Sequence, residues 1–170
     1  MANDLLRIYL TDHLAGATAG LALARRAARG NARTSSGPVL AEIAREIAED
    51  RVALERLLRS VGGRPSRVKN LLAAAGERAA RLKLNGRLRQ RSPLSRLVET
   101  EALTLGVTGK LALWEALLAT HPDGGSGADL ASLAALAERA RGQRERLEAE
   151  RIVAARTALA TSPQASPGTP

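Results

Sequence analysis

The sequence predicts an all-α fold, an antiparallel four-helix bundle with one long crossover between its second and third helices. Three observations predict it. The apolar residues, 45% of the chain, are almost entirely Ala, Leu, Val and Ile, with one Tyr, one Trp and no Phe. Ala and Leu are strong helix formers, and the residue types that favour strands are scarce. Four long segments carry apolar residues at helical spacing, with caps and breakers at their ends. Two connections are short and join antiparallel neighbours, whereas the third is about a fifth of the chain.

The first helix is expected from about Asn3 to Arg29. Asn3 is a candidate N-cap, Asp4 stands in the first turn, and Gly30-Asn31 is a stop. Its stripe reads Leu6, Leu10, His13, Ala17, Leu21 and Ala24. The second helix has Pro38 near its first turn and runs to about Val61, before Gly62-Gly63. Its stripe is Leu40, Ile43, Ile47, Asp50, Leu54, Leu57 and Val61. Ser92 caps the third helix, with Pro93 at the first helical position. This helix is apolar over most of its circumference and ends near Thr120, at His121-Pro122-Asp123-Gly124-Gly125. The fourth is expected from about Asp129 to Ala160, with the stripe Leu133, Leu136, Ala140, Gln143, Leu147, Ala154 and Ala158.

The bundle so defined is one domain, residues 1–160. Its crossover occupies 63–92 and is itself largely helical in composition (Val68, Leu71, Leu72, Ala75, Ala79, Leu82). Residues 161–170, rich in Ser, Thr, Pro and Gly, read as a disordered tail. With no Cys, disulfides, thiolate catalysis and cysteine-ligated metals are excluded. The first residues lack the pattern of a signal peptide, and no apolar run is read as a membrane span, so a cytoplasmic protein is expected.

Each stripe is interrupted by a polar residue near its middle. The first helix supplies His13, with Asp12 beside it. The second supplies Asp50, with Glu46 and Glu49 nearby. The third supplies Glu101 and the fourth Gln143. Buried ionisable groups are costly unless paired or metal-bound, so four such positions at similar depth suggest a shared polar layer. The layer reads as a hydrogen-bonded cluster that fixes helix register. A metal site built on His13, Glu46, Glu49, Asp50 and Glu101 is the alternative. A different helix rotation would turn some of these residues to water.

Topology and polar layer together resemble the ferritin-like superfamily. That resemblance covers residues 3 to 160 and implies a di-iron or di-manganese site, with one Glu on each of two helices and Glu-x-x-His on the other two. The chain departs from that pattern. Glu46 is followed three residues later by Glu49, and Glu49 by Val52, so no His completes the motif. No His follows Gln143, and the imidazole of His13 lies on the helix where the family has Glu. The implied site is degenerate, with Fe or Mn as the metals it would otherwise take.

Two further motifs carry less. Gly106-Val107-Thr108-Gly109-Lys110 resembles part of a phosphate-binding loop, but it lacks the following Ser or Thr and falls within a helix. Its glycines, with Gly16 and Gly20, are expected to allow close helix approach. His121 reads as an exposed turn residue.

The formal charge is +9. Ten basic residues between Arg64 and Arg96 carry all of it: Arg64, Arg67, Lys69, Arg78, Arg81, Lys83, Arg87, Arg89, Arg91 and Arg96, opposed only by Glu77. The rest of the chain is neutral. A concentrated positive field attracts nucleic acid, anionic lipid or an acidic protein face, including that of a second copy in a homodimer. The expected function is a non-catalytic bundle with a degenerate metal site, acting through protein or anion contacts. A metal-dependent redox or storage protein and a non-specific nucleic-acid binder are the alternatives.

Overall fold

The computed structural model describes residues 2–64, 92–120 and 129–160. They form a four-helix all-α bundle of α1 (Ala2–Asn31), α2 (Gly37–Ser60), α3 (Pro93–Thr120) and α4 (Leu130–Leu159). Most of the basic segment, His121 and the tail lie outside the described residues.

The helix ends follow local chemistry. The Ser92 hydroxyl accepts from the Ser95 amide at 3.3 Å, with Pro93 starting α3. Asp129 caps α4 and accepts from the Ser132 amide at 2.8 Å and its hydroxyl at 2.6 Å. Two backbone bonds close α2, from Gly62 to Arg59 at 3.0 Å and from Gly63 to Leu58 at 2.9 Å. Gly62 adopts a φ of +76°, which a side chain would resist. The α1–α2 turn is tight. The Asn31 amide group donates to the Ala27 carbonyl at 2.8 Å, and the Asn31 carbonyl accepts from Thr34 N at 2.8 Å.

The packing is uneven around the bundle. Helices α1 and α2 pack along their length, as do α3 and α4; α1 meets α3 less extensively, and α2 barely touches α4 through its backbone. Two apolar clusters fill the interior. One gathers Leu10 and Leu14 with Leu54, Leu57 and Leu58, then Leu111, Leu113, Trp114 and Leu117, then Leu133, Ala137 and Ala140. The other gathers Leu21, Ala24 and Ala27 with Leu40, Ile43 and Ile47, then Leu103, Val107 and Leu147. Helix α3 is long and apolar enough, by length and composition, to cross a membrane. In the bundle it buries Leu97, Leu103, Val107, Leu111, Leu113, Trp114 and Leu117 and leaves Leu94 and Leu105 exposed.

Gly37 at the start of α2 leaves no room for a methyl group, because a Cβ there would lie 2.6 Å from the Asn31 carbonyl oxygen. Gly37→Ala is expected to cost about 1–3 kcal/mol, as overpacking of a rigid contact does. Urea unfolding monitored by helical circular dichroism checks this.

Candidate functional site

The two apolar clusters are separated by a polar layer, and Asp50 is its centre. Asp50 is 1% exposed, on the inner face of α2. Its Oδ2 accepts from the Lys110 ammonium on α3 and from Gln143 Nε2 on α4 at 3.2 Å. Its Oδ1 forms an ion pair with Arg139 Nη2 at 2.5 Å. Gln143, fully buried, matches both neighbours, since its Oε1 accepts from Lys110 while its amide nitrogen donates to Asp50. One turn before Asp50, Glu46 accepts from Arg146 at 2.6 Å. Arg146 also approaches Glu42 at 3.3 Å, and Arg139 reaches Glu49 at 3.2 Å. The α2–α4 seam is therefore held by side-chain ion pairs, not by close backbone approach.

The charges respond to these surroundings. Burial lowers the Lys110 pKa, against the charge and hydrogen bond of Asp50, which favour the ammonium. Burial alone would raise the Glu46 carboxyl; hydrogen bonds from Arg146 and Gln143 and the charges of Arg146 and Arg139 outweigh it and hold the group below its ordinary value. Burial also lowers the His13 imidazole, ahead of the opposing pull of Asp12, so His13 is neutral at neutral pH.

The sequence-predicted residues separate into two sets. Asp50, Glu46 and Gln143 come together in the layer. Glu49 is exposed and joins it only through Arg139, while also accepting from Arg45 at 2.6 Å. Glu101 is exposed on α3, contrary to the expectation that it faces inward. The inward position on α3 belongs to Lys110, which sequence reasoning missed. A signal for it existed, because Leu103, Val107, Lys110 and Trp114 recur at the spacing of one helical face. His13 is half-buried on α1 and packs edge-on against Tyr9, with ring centroids 4.6 Å apart. Asp12 is exposed beside it. Of the ten basic residues, Arg64 and Arg96 lie within the described residues. Arg64 is exposed, whereas Arg96 donates to Ser36 and to Glu150, the latter at 3.2 Å.

The donor set does not fit the metal pair that the ferritin-like resemblance implies. Both oxygens of Asp50 face protein cations, as does the Oε2 of Glu46. Among the described residues, no three His, Asp or Glu side chains gather to hold an ion.

Beside the layer, between α1 and α3, is a cavity of about 490 Å³. Leu103, Val107, Leu113 and Trp114 of α3, Ile47 and Leu54 of α2 and Ala17 of α1 line it, with Lys110, Asp50 and Arg51 as charged residues from α3 and α2, and Tyr9, Asp12 and His13 on α1. Four glycines also line it: Gly16, Gly20, Gly106 and Gly109. A Cβ built on any of them meets nothing within 4 Å. The expectation that these glycines allow close helix approach is therefore corrected. They leave space unfilled.

Two results are expected. Asp50→Ala leaves the buried Lys110 ammonium without its carboxylate and lowers stability by about 3–5 kcal/mol in denaturant titration, as breaking a buried pair does. Gly20→Ala and Gly109→Ala each raise stability by about 0.5–1 kcal/mol, the ordinary gain of Ala over Gly in a helix; glycines at a tight crossing would give a loss. No known protein family, curated protein or solved structure matches the chain.

Proposed function

We infer that the chain is a non-catalytic bundle of the ferritin-like kind, with antiparallel neighbours and one crossover, in which ion pairs stand in place of a metal pair. It works through contact with an anionic partner. One observation carries the first part of this reading. Lys110 and Arg139 direct fixed positive charge at both oxygens of Asp50, the carboxylate best placed to serve as an inner ligand. A metal ion there would have to displace cations covalently attached to the bundle.

The order of residues in the two core clusters supports the topology. Residue numbers rise from the first cluster to the second along α1 and α4 and fall along α2 and α3. Parallel middle helices require a connection that returns along the bundle, and residues 65–91 provide its length. The concentration of positive charge between Arg64 and Arg96 supports the anionic partner.

Anaerobic loading with Fe(II) or Mn(II), followed by desalting and elemental mass spectrometry, tests the first part. Well below one equivalent per chain is expected. About two equivalents, lost in Asp50→Asn, would overturn the reading. Heparin or duplex DNA retention that weakens steeply with salt, and weakens again when Arg87, Arg89 and Arg91 are neutralised, is expected of the anionic contact. Retention unchanged in that variant would exclude the basic segment as the contact.

A further inference from the structure

The cavity between α1 and α3 is a second, unassigned feature that shares Lys110 and Asp50 with the ion-pair layer. Its size falls within the range of about 300–1,000 Å³ usual for small-molecule sites. Buried side chains, among them Leu113, Trp114 and Asp50, back its inner wall, and the exposed Gly16, Ala102, Leu105 and Gly106 form its open rim. Four mid-helix glycines border it with no neighbour against their missing side chains. Each weakens its helix relative to Ala, and none is offset by a close helix crossing. A sequence shaped by folding alone would place Ala or Leu at these positions. The glycines widen the opening between α1 and α3 at a cost in helix stability.

The lining also specifies chemistry. Most of the wall is aliphatic or glycine, so the body of the occupant is apolar. At the polar end, the Lys110 ammonium carries three N–H donors, of which Asp50 and Gln143 receive two. The remaining donor calls for an oxygen acceptor. The Asp50 carboxylate is already engaged by Lys110, Gln143 and Arg139, so the site offers little to a second cation. A partner helix is a poor occupant by volume. A single helical turn, about 10 Å across and 5.4 Å long, would already take up about 420 Å³.

We propose that this cavity binds a small, mainly apolar molecule bearing one carbonyl or carboxylate group, with that oxygen received by Lys110 and the apolar body lying along Gly16, Gly20, Gly106 and Gly109. Tyr9 and neutral His13 form part of the α1 wall. Of the other charged lining residues, Asp12 is exposed and Arg51 is engaged by Thr18 at 3.2 Å and Glu55 at 3.5 Å.

Trp114 is the sole tryptophan of the chain and lines the cavity, so its indole resonance and fluorescence report on occupancy directly. The experiment titrates the full chain with decanoic acid and, separately, with methyl decanoate, both below their aggregation limits. A saturable shift of the Trp114 indole signal in a proton–nitrogen correlation spectrum is expected with at least one. Response to the acid alone, the ester alone or both identifies the acceptor as carboxylate, neutral carbonyl or either. Gly109→Leu fills the void and is expected to abolish the shift while keeping helical content and the unfolding midpoint at or above those of the parent; Gly20→Leu serves as the second filling variant. Lys110→Met is expected to weaken binding at least tenfold. No saturable response to either compound, as when residues 65–91 or a second copy occupy the space, overturns the proposal. So does a response undiminished in both folded leucine variants, and equal affinity in Lys110→Met overturns the assigned role of the ammonium.

Discussion

A carboxylate at the axis of a helical bundle has to be answered from the neighbouring helices, and Asp50 is answered from two of them. Lys110 comes from α3; Arg139 and Gln143 come from α4. The constraint is positional as much as energetic. Ala- and Leu-rich faces offer similar apolar packing when one helix slides past another by a turn, about 5.4 Å. The same slide would strand a buried charge at a cost of several kcal/mol. The layer therefore selects one register among packings that the apolar clusters alone distinguish poorly, as single polar residues do in coiled coils. The apolar clusters then fill the space on either side of it.

Much of this was legible in the sequence. The four helices, the cap at Ser92 and the stop at Gly62 follow from local chemistry that does not depend on tertiary context. Asp50 and Gln143 were readable as interior because α2 and α4 have one apolar stripe each, and a polar residue inside a clear stripe has a defined direction. Helix α3 lacks such a stripe. With apolar residues around most of its circumference, no single face stood out against which to orient Glu101, and the inward place went to Lys110. The glycines were opaque for a different reason. An absent side chain is equally consistent with a neighbour lying very close and with nothing lying there at all, and only coordinates separate the two.

The two seams between the helix pairs are built on opposite principles. Along α2 and α4, long charged side chains span a gap that backbone packing leaves: Arg139 to Asp50 and Glu49, Arg146 to Glu46 and Glu42. Along α1 and α3, small residues leave a gap that nothing in the described residues spans. Lys110 belongs to both, since it anchors the ion-pair layer and lines the cavity. Any change at this one side chain is therefore felt by helix register and by the cavity together. This is why glycine replacements, which leave Lys110 untouched, separate the two roles more cleanly than removal of the ammonium.

The separation of the bundle into two tightly packed pairs also bears on how copies of the chain meet one another. Backbone packing is most extensive within each pair, α1 with α2 and α3 with α4. Two chains that trade their second pair would rebuild both seams, including every charge around Asp50, without inventing a contact. Such reciprocal domain swapping is a low-cost route to a dimer. In such an exchanged dimer, the ion-pair layer that fixes register within one chain would fix it equally well across two.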